Sequence, residues 1–191
     1  CGSVGKDFAG DEIIKELKGL NIATDLIIRS EKPTNQSIVV SSDNAERTIL
    51  VYRGASEDLN KKNISWDKLQ TKWFYIAPLS GDLGMVFEDL IEFAKNNKIK
   101  VALNPGSKQL ALPKSILKKY FERVDILILN QEEASKLTGV PYKKEKEIFQ
   151  KLDALCSGIA IMTKGDKGVA ISDGKNIYSA PSLKIKVADE N

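Results

Sequence analysis

Between Trp73 and Met162 short apolar runs alternate with amphipathic helical stretches, and this alternation constrains the fold more than any other feature of the sequence. A strand from Trp73 to Ala77 leads to a helix over Leu83 to Asn96, where Val86, Phe87, Leu90, Ile91 and Ala94 recur at helical spacing and Ser80 or Asp82 is the expected N-cap. A strand over Lys100 to Leu103 leaves through Asn104-Pro105-Gly106, a segment expected neither to continue a strand nor to start a helix at once, and a helix from Pro113 to Arg123 returns the chain. The strand Asp125 to Leu129 runs into Asn130. A helix over Glu132 to Leu137 then stops at Thr138-Gly139-Val140-Pro141, and another covers Lys144 to Leu155. The strand Ile159 to Met162 ends in Thr163-Lys164-Gly165. Strands alternating with helices imply parallel pairing with right-handed crossovers, hence an α/β fold with a mainly parallel central sheet.

The flanking regions read differently. Gly2-Ser-Val-Gly-Lys-Asp-Phe-Ala-Gly10 reads as a tight loop, its glycines too widely spaced for a dinucleotide fingerprint. It precedes a helix from Asp11 to Leu20 with Ile13, Ile14, Leu17 and Leu20 on one face. From Ile22 to Tyr52 the period is two: Leu26-Ile27-Ile28, Gln36 to Val40 and Thr48 to Tyr52, divided by polar turns at Glu31 to Thr34 and Ser42 to Glu46. These predict an antiparallel ribbon, which cannot form a core alone and must serve as a lid or as the contact surface of a homodimer. Arg53 to Lys72 predicts a connector with a short helix, Asp58 and Asn63 being turn or cap residues. After Thr163 come short strands at Val169 to Ser172, Asn176 to Ala180 and Lys184 to Ala188, with Asp173-Gly174 as a hairpin signal.

Bulk properties exclude several classes. The 29 basic and 26 acidic residues are mixed along the chain, so no basic block exists to track a nucleic-acid backbone, and nucleic acid is not an expected partner. No apolar run approaches the roughly 20 residues of a membrane-spanning helix, and no charged-then-apolar leader opens the sequence, which reads as a cytoplasmic protein with no membrane partner. Histidine is absent, which removes imidazole acid/base chemistry and His-ligated metals. Cys1 and Cys156 are too few for a zinc site or a disulfide framework. The chain opens without methionine and stops just after an apparent strand, so truncation at both ends is expected.

Four strand exits, at Ser80-Gly81, Asn104-Pro105-Gly106, Asn130 and Thr163-Lys164-Gly165, are expected along one edge of the sheet, where ligands bind in open α/β folds. Asn130 and Glu133 place an amide at a strand end and a carboxylate on the following helical turn. That carboxylate could order the waters of a Mg²⁺ ion beside phosphates, or it could merely complement the helix dipole. Thr163-Lys164-Gly165-Asp166-Lys167-Gly168 offers a hydroxyl, ammonium groups and accessible backbone N–H groups to a phosphate, without P-loop spacing, or is a simple hairpin turn.

Taken in order, Gly2 to Gly10, the ribbon with Glu46-Arg47-Thr48, Asn130-Gln-Glu-Glu133 with Leu137 and Gly139, and Thr163-Lys-Gly165 with Gly168 resemble the ribokinase-like family of carbohydrate kinases, also called the PfkB family. The resemblance extends over nearly the whole chain. It implies one incomplete three-layer ribokinase-like α/β domain over residues 1–191, with residues 22–53 as a small β-sheet lid over the substrate. It also implies transfer of the ATP γ-phosphate to a hydroxyl of a sugar or sugar-like molecule. Asn130, Thr163, Lys164, Gly165 and Gly168 would bind the nucleotide, Glu133 would support Mg²⁺ through water, and Gly10, Ser80 and Asn104 would contact the substrate.

The chain also departs from the family pattern. Val187-Ala-Asp-Glu-Asn191 resembles the run leading into the family's Gly-Ala-Gly-Asp signature, whose amides form the anion hole and whose aspartate is the base; that signature would start just after Asn191. A proton-accepting carboxylate contributes on the order of 10² to 10⁴ in rate, so a chain lacking it is expected to be nearly inactive. At Ser80 ribokinases typically present a carboxylate, and Asn104-Pro105-Gly106 stands where relatives often carry an aspartate or arginine-containing run, which leaves the sugar open: ribose, another sugar or a nucleoside. A nucleoside or vitamin kinase, or a ligand-binding protein of the same fold without catalysis, are the alternatives.

Overall fold

The computed structural model describes residues 1–41, 47–79 and 83–184. Among these, backbone contacts define two compact units, Cys1–Leu69 with 83–86, and Gln70–Leu79 with 87–184. The expected turn at Ser42 to Glu46, the exit and caps at Ser80 to Asp82, and the run from Val187 to Asn191 lie outside the described residues, as does most of the expected strand from Lys184 to Ala188.

The first unit begins with a strand where the sequence suggested a loop. Strand β1 (Gly2–Gly5) leads to helix α1 (Phe8–Gly19), and β1 pairs in parallel with β2 (Ile27–Ser30), Gly2 opposite Ile27 and Gly5 opposite Ser30. Leu26-Ile27-Ile28 is therefore not part of the antiparallel ribbon. Periodicity marks a strand but not its partner, and here the partner is a glycine-containing segment that composition does not flag. Helix α1 starts three residues earlier than expected because Asp7 caps it, accepting the Gly10 N–H at 2.8 Å. Its apolar stripe is only partly covered: Ile14 and Leu17 are half-buried, while Ile13 and Leu20 are exposed.

The ribbon itself reduces to one hairpin, β3 (Gln36–Ser41) antiparallel to β4 (Arg47–Tyr52), with Ile38 opposite Leu50 and Val40 opposite Thr48. Neighbouring residues on a strand face opposite ways, so the exposure of Ile38, Val39, Val40, Ile49, Leu50 and Val51 leaves apolar side chains open on both faces. The connector forms three short 3₁₀ turns, Gly54–Asp58, Lys61–Asn63 and Trp66–Lys68, rather than a helix. Asp58 ends the first, accepting from Ser30 Oγ and pairing with Lys32 Nζ at 2.6 Å. Asn63 closes the second by accepting the Asn60 N–H at 3.1 Å.

The second unit carries the alternating rhythm. Strands β5 (Trp73–Ile76), β6 (Lys100–Leu103), β7 (Ile126–Asn130), β8 (Ile159–Thr163), β9 (Val169–Ser172) and β10 (Ile177–Ala180) form one sheet in the order β10-β9-β8-β7-β6-β5. Pairing is parallel from β5 through β8 and antiparallel at β8–β9 and β9–β10. Helix α2 (Leu83–Asn96) follows β5, α3 (Ser107–Leu110) and α4 (Lys114–Phe121) follow β6, and α5 (Gln131–Thr138) and α6 (Glu145–Asp153) join β7 to β8. The presence of α3 corrects the reading of Asn104-Pro105-Gly106: a helical turn begins at once. Gln109 makes it possible by accepting the Gly106 N–H at 2.9 Å and donating to the Leu79 carbonyl at 3.0 Å.

Because β5 to β8 lie side by side in chain order, right-handed crossovers bring their helices to one face. Burial follows that rule. Val101, Leu103, Leu127, Leu129, Ala160 and Met162 are buried in one core with Phe87 and Ile91 of α2, Leu117 and Phe121 of α4, Ala134 of α5, and Ile148, Phe149 and Leu152 of α6. Alternate residues on the opposite face, Ala102, Ile126, Ile128 and Ile161, are only half-buried. No helix among the described residues is long and apolar enough to cross a membrane.

The β9–β10 turn is held by Asp173, whose carboxylate accepts the Lys175 and Asn176 N–H groups at 2.9 and 2.7 Å and the Tyr178 hydroxyl at 3.1 Å. These bonds, from the Asn176 and Lys175 amides above all, lower its pKa from 3.8 to about 2. A depressed carboxyl pKa contributes stability that is present above 3.8 and lost as the pH falls through about 2. Carboxyl-carbon NMR titration should therefore give Asp173 a midpoint near 2, with the turn amides losing exchange protection over the same interval; a midpoint at or above 3.8 would contradict the turn geometry.

Candidate functional site

The site is built on the carboxyl ends of β7 and β8. Their parallel register places Asn130 opposite Thr163, the last residue of each strand, so the two polar exits lie side by side. Both residues are exposed. Asn104 follows the last residue of β6 on the same edge, its N–H donating to the Ile76 carbonyl at 2.9 Å, and its side chain is half-buried. The structure thus brings Asn104, Asn130, Thr163 and the turn after β8 to one edge of one sheet. Ser80 lies outside the described residues.

Asn130 is also the N-cap of α5. Its Oδ1 accepts the Glu133 N–H at 2.8 Å, while Glu133 Oε2 accepts the Asn130 N–H at 2.9 Å, a reciprocal capping box. One Glu133 oxygen serves the helix start, and among the described residues the other, Oε1, accepts no hydrogen bond. Helix α5 ends at Gly139, in the left-handed region at φ 68°, as Thr138-Gly139 suggested. Gln131, buried beside the cap, donates from Nε2 to the Tyr142 carbonyl at 2.8 Å and so ties the start of α5 to the segment after it.

After Thr163 the chain turns through a 3₁₀ segment, Gly165–Lys167, into antiparallel β9, so the run is a turn between paired strands. Its closure is tight: the Lys164 N–H donates to the Gly168 carbonyl at 2.8 Å, and the Gly168 N–H donates to the Gly165 carbonyl at 3.0 Å. Gly165 sits at φ +57° with no atom within 4 Å of where a Cβ would stand, so its face of the turn is open. Gly168 is different. At φ +85° its missing Cβ would lie 2.1 Å from the Ala180 carbonyl oxygen, so glycine is needed there to let the turn close against the end of β10. Lys164 does not project freely. Its Nζ pairs with Glu145 Oε2 at 3.0 Å, with the two side chains 13% and 31% exposed.

Gly10 belongs to the first unit and is buried, with a Cβ placed there falling 2.3 Å from the Gly5 carbonyl oxygen. It lies in a polar knot centred on Asp7, which accepts from Thr34 Oγ1 at 2.6 Å, the Thr34 N–H at 2.7 Å and the Gly10 N–H at 2.8 Å, while Thr34 Oγ1 accepts the Gly5 N–H at 2.9 Å. The Thr34 hydroxyl, then its amide and that of Gly10, hold the Asp7 carboxyl below its usual pKa. Gly10 thus marks a close approach of two backbone segments. Asp7, Gln131 and Glu145 were not singled out by the sequence. Asp7 had a legible signal, an acidic residue just ahead of a helix, whereas Glu145 is one of many charged residues on a lysine-rich stretch.

No group of three or more Asp, Glu, Cys or His side chains among the described residues is arranged to hold a metal ion. The arrangement defines an α/β protein whose strand ends present an amide, a hydroxyl, one carboxylate and an open glycine turn, chemistry suited to a phosphate-bearing ligand. The chain belongs to the pfkB family of carbohydrate kinases, whose family pattern matches residues 1–191. It is 25% identical over 192 residues to a ribokinase from Staphylococcus aureus, covering 97% of this chain and 61% of that one. It is also 26% identical over 137 residues to a cytidine kinase from Thermococcus kodakarensis, covering 71% of this chain and 47% of that protein. A ribokinase structure from Thermotoga maritima superposes with a TM-score of 0.75 at 24% identity, covering 98% of this chain and 60% of the other, a likeness of fold. The chain thus spans about three fifths of the length of the ribokinases it matches.

Asn130→Ala removes one half of the capping box and should destabilise the second unit by about 1 kcal/mol, read as a lower urea midpoint at unchanged slope. An unchanged midpoint would show that the cap contributes nothing to stability.

Proposed function

We propose that the protein to which this chain belongs is an ATP-dependent small-molecule kinase that phosphorylates a hydroxyl of a sugar or sugar-like substrate. The observation that carries this reading is the in-register pairing of Asn130 with Thr163 at the sheet edge, in a chain that the pfkB family matches throughout. The nucleotide would lie along that edge. Asn130 and Thr163 would meet its phosphates, Gly165 would let the phosphates approach the backbone, and Lys164 and Gly168 would shape the turn. Asn104 would face the substrate on the same edge.

The residues fit Mg²⁺ in a limited way. At the start of α5, Glu133 offers a carboxylate oxygen free of hydrogen bonds among the described residues, and magnesium typically keeps several waters and rests on one or two carboxylates plus phosphates. When bound, the ion would neutralise charge developing on the transferred phosphoryl group. The chain's own part is positional: the capping box holds the Glu133 carboxylate in one orientation, and the closed turn after Thr163 fixes the amides facing the phosphates. In-line phosphoryl transfer depends mainly on such placement and on charge stabilisation.

The similarity to a cytidine kinase favours a nucleoside as the alternative acceptor. Action in the cytoplasm and a homodimer formed through the β3–β4 hairpin belong to the same proposal. The hairpin's support is its apolar exposure on both faces, because contiguous exposed apolar surface marks a site of association.

A substrate screen on the full-length protein, following ADP release with sugars and nucleosides with and without Mg²⁺, tests the reading; absence of ATP turnover with every acceptor would overturn it. Glu133→Gln provides a residue-level test. Glutamine satisfies a capping box, so the urea midpoint should stay within the error of the native protein while turnover falls and the Mg²⁺ requirement rises. Unchanged kinetics would remove Glu133 from the metal side of the site. Gly165→Val should weaken ATP binding by filling the open face of the turn, and an unaltered ATP affinity would move the phosphates elsewhere.

A further inference from the structure

Lys164 directly precedes the open glycine of the turn, yet its ammonium is taken up within the protein. The Lys164–Glu145 pair is the least exposed ion pair among the described residues, at 13% and 31% side-chain exposure, with Nζ and Oε2 3.0 Å apart. Glu145 stands in the first turn of α6, where a carboxylate also suits the helix dipole. The segment leading to it is anchored from the other side, because Gln131 Nε2 donates to the Tyr142 carbonyl at 2.8 Å.

These contacts close a ring. From Asn130 the chain passes to Gln131, across a hydrogen bond to Tyr142, along to Glu145, across the ion pair to Lys164, and back through Thr163, which lies opposite Asn130. Every bridge joins the two strand exits by way of the α5–α6 connection. The ring fixes the turn after β8 relative to the capped start of α5, the two groups proposed to face the nucleotide.

We propose that Glu145 and Lys164 are positioning residues, which set the 163–168 turn for the nucleotide, rather than Lys164 acting as a phosphate ligand. This inference rests on the nucleotide reading of the same edge. A ligand and a positioning residue respond differently to loss of the partner. If Lys164 served only as a phosphate ligand, neutralising Glu145 would release the ammonium and leave ATP binding intact or tighter. As a positioning pair, loss of either member loosens the turn in the same way.

The test uses the full-length protein with ATP and Mg²⁺, measuring ATP binding by calorimetry and KM and kcat by ADP release. Lys164→Met and Glu145→Gln should each weaken ATP binding and raise KM for ATP by about tenfold, the size of a coupling between contacting residues, with kcat at saturating ATP within about twofold. The Lys164→Met/Glu145→Gln double variant should be no worse than either single one. The reversed pair, Lys164→Glu with Glu145→Lys, should recover most of the affinity. Urea midpoints identify any variant that fails to fold, and for it Lys164→Arg, which keeps the charge, should retain the native KM. Loss of affinity in Lys164→Met but not in Glu145→Gln would overturn the proposal in favour of a direct ligand, and unchanged affinity in both would leave the pair purely structural and also overturn it. If the native protein does not bind ATP, whether a sugar or nucleoside is present or absent, the nucleotide reading itself fails, an outcome distinct from any pattern among the variants.

Discussion

The pairing of β7 with β8 holds together most of what the second unit offers as a site. Five residue pairs, from Ile126 opposite Ile159 to Asn130 opposite Thr163, fix the register, and a shift by one residue would turn either Leu127 and Leu129 or Ala160 and Met162 out of the core. Burial of those side chains against Phe149, Leu152 and Phe121 therefore decides where the polar ends stand. At roughly 1.5–3 kcal/mol for each large apolar side chain buried, the hydrophobic term outweighs what any one polar group at the edge contributes. The site's geometry is inherited from the core.

The edge is then finished by polar contacts that each meet a structural demand. A parallel strand that runs directly into a helix leaves the first helical N–H groups without intrahelical partners, and Asn130 and Glu133 satisfy two backbone N–H groups between them. A strand that turns back antiparallel needs a compact reversal, which Gly168 permits by lying against Ala180 and Pro181 where no other residue fits. The first unit solves a similar problem with Asp7, which caps α1 and also fixes Thr34, two residues ahead of the hairpin.

The sequence disclosed the second unit well and the first one poorly, for a physical reason. Strands such as Lys100–Leu103 and Ile159–Thr163 carry short apolar runs, Val101 to Leu103 and Ile159 to Met162, set off by polar neighbours, and their boundaries can be read from composition. Strand β1 contains two glycines and reads as a loop; its parallel partner lies more than twenty residues away, and nothing in the local pattern of Leu26-Ile27-Ile28 distinguishes that pairing from a hairpin. At the edge, Asn130, Glu133 and Thr163 were legible as residue types at strand ends. The engagement of Lys164 by Glu145 was not, since a long-range ion pair leaves no periodic trace, and neither was the close packing of Gly10 against Gly5.

The reciprocal cap at the start of α5 also bears on the thermodynamics of any encounter at this edge. A free glutamate loses up to about 2 kcal/mol of rotamer freedom when it is ordered. Glu133 has already given up that freedom in folding, because its Oε2 is tied to the Asn130 N–H while Oε1 accepts no hydrogen bond among the described residues. A ligand or hydrated cation meeting Oε1 would therefore find a carboxylate already at rest, and its binding enthalpy would be offset by less ordering than at a mobile surface acid.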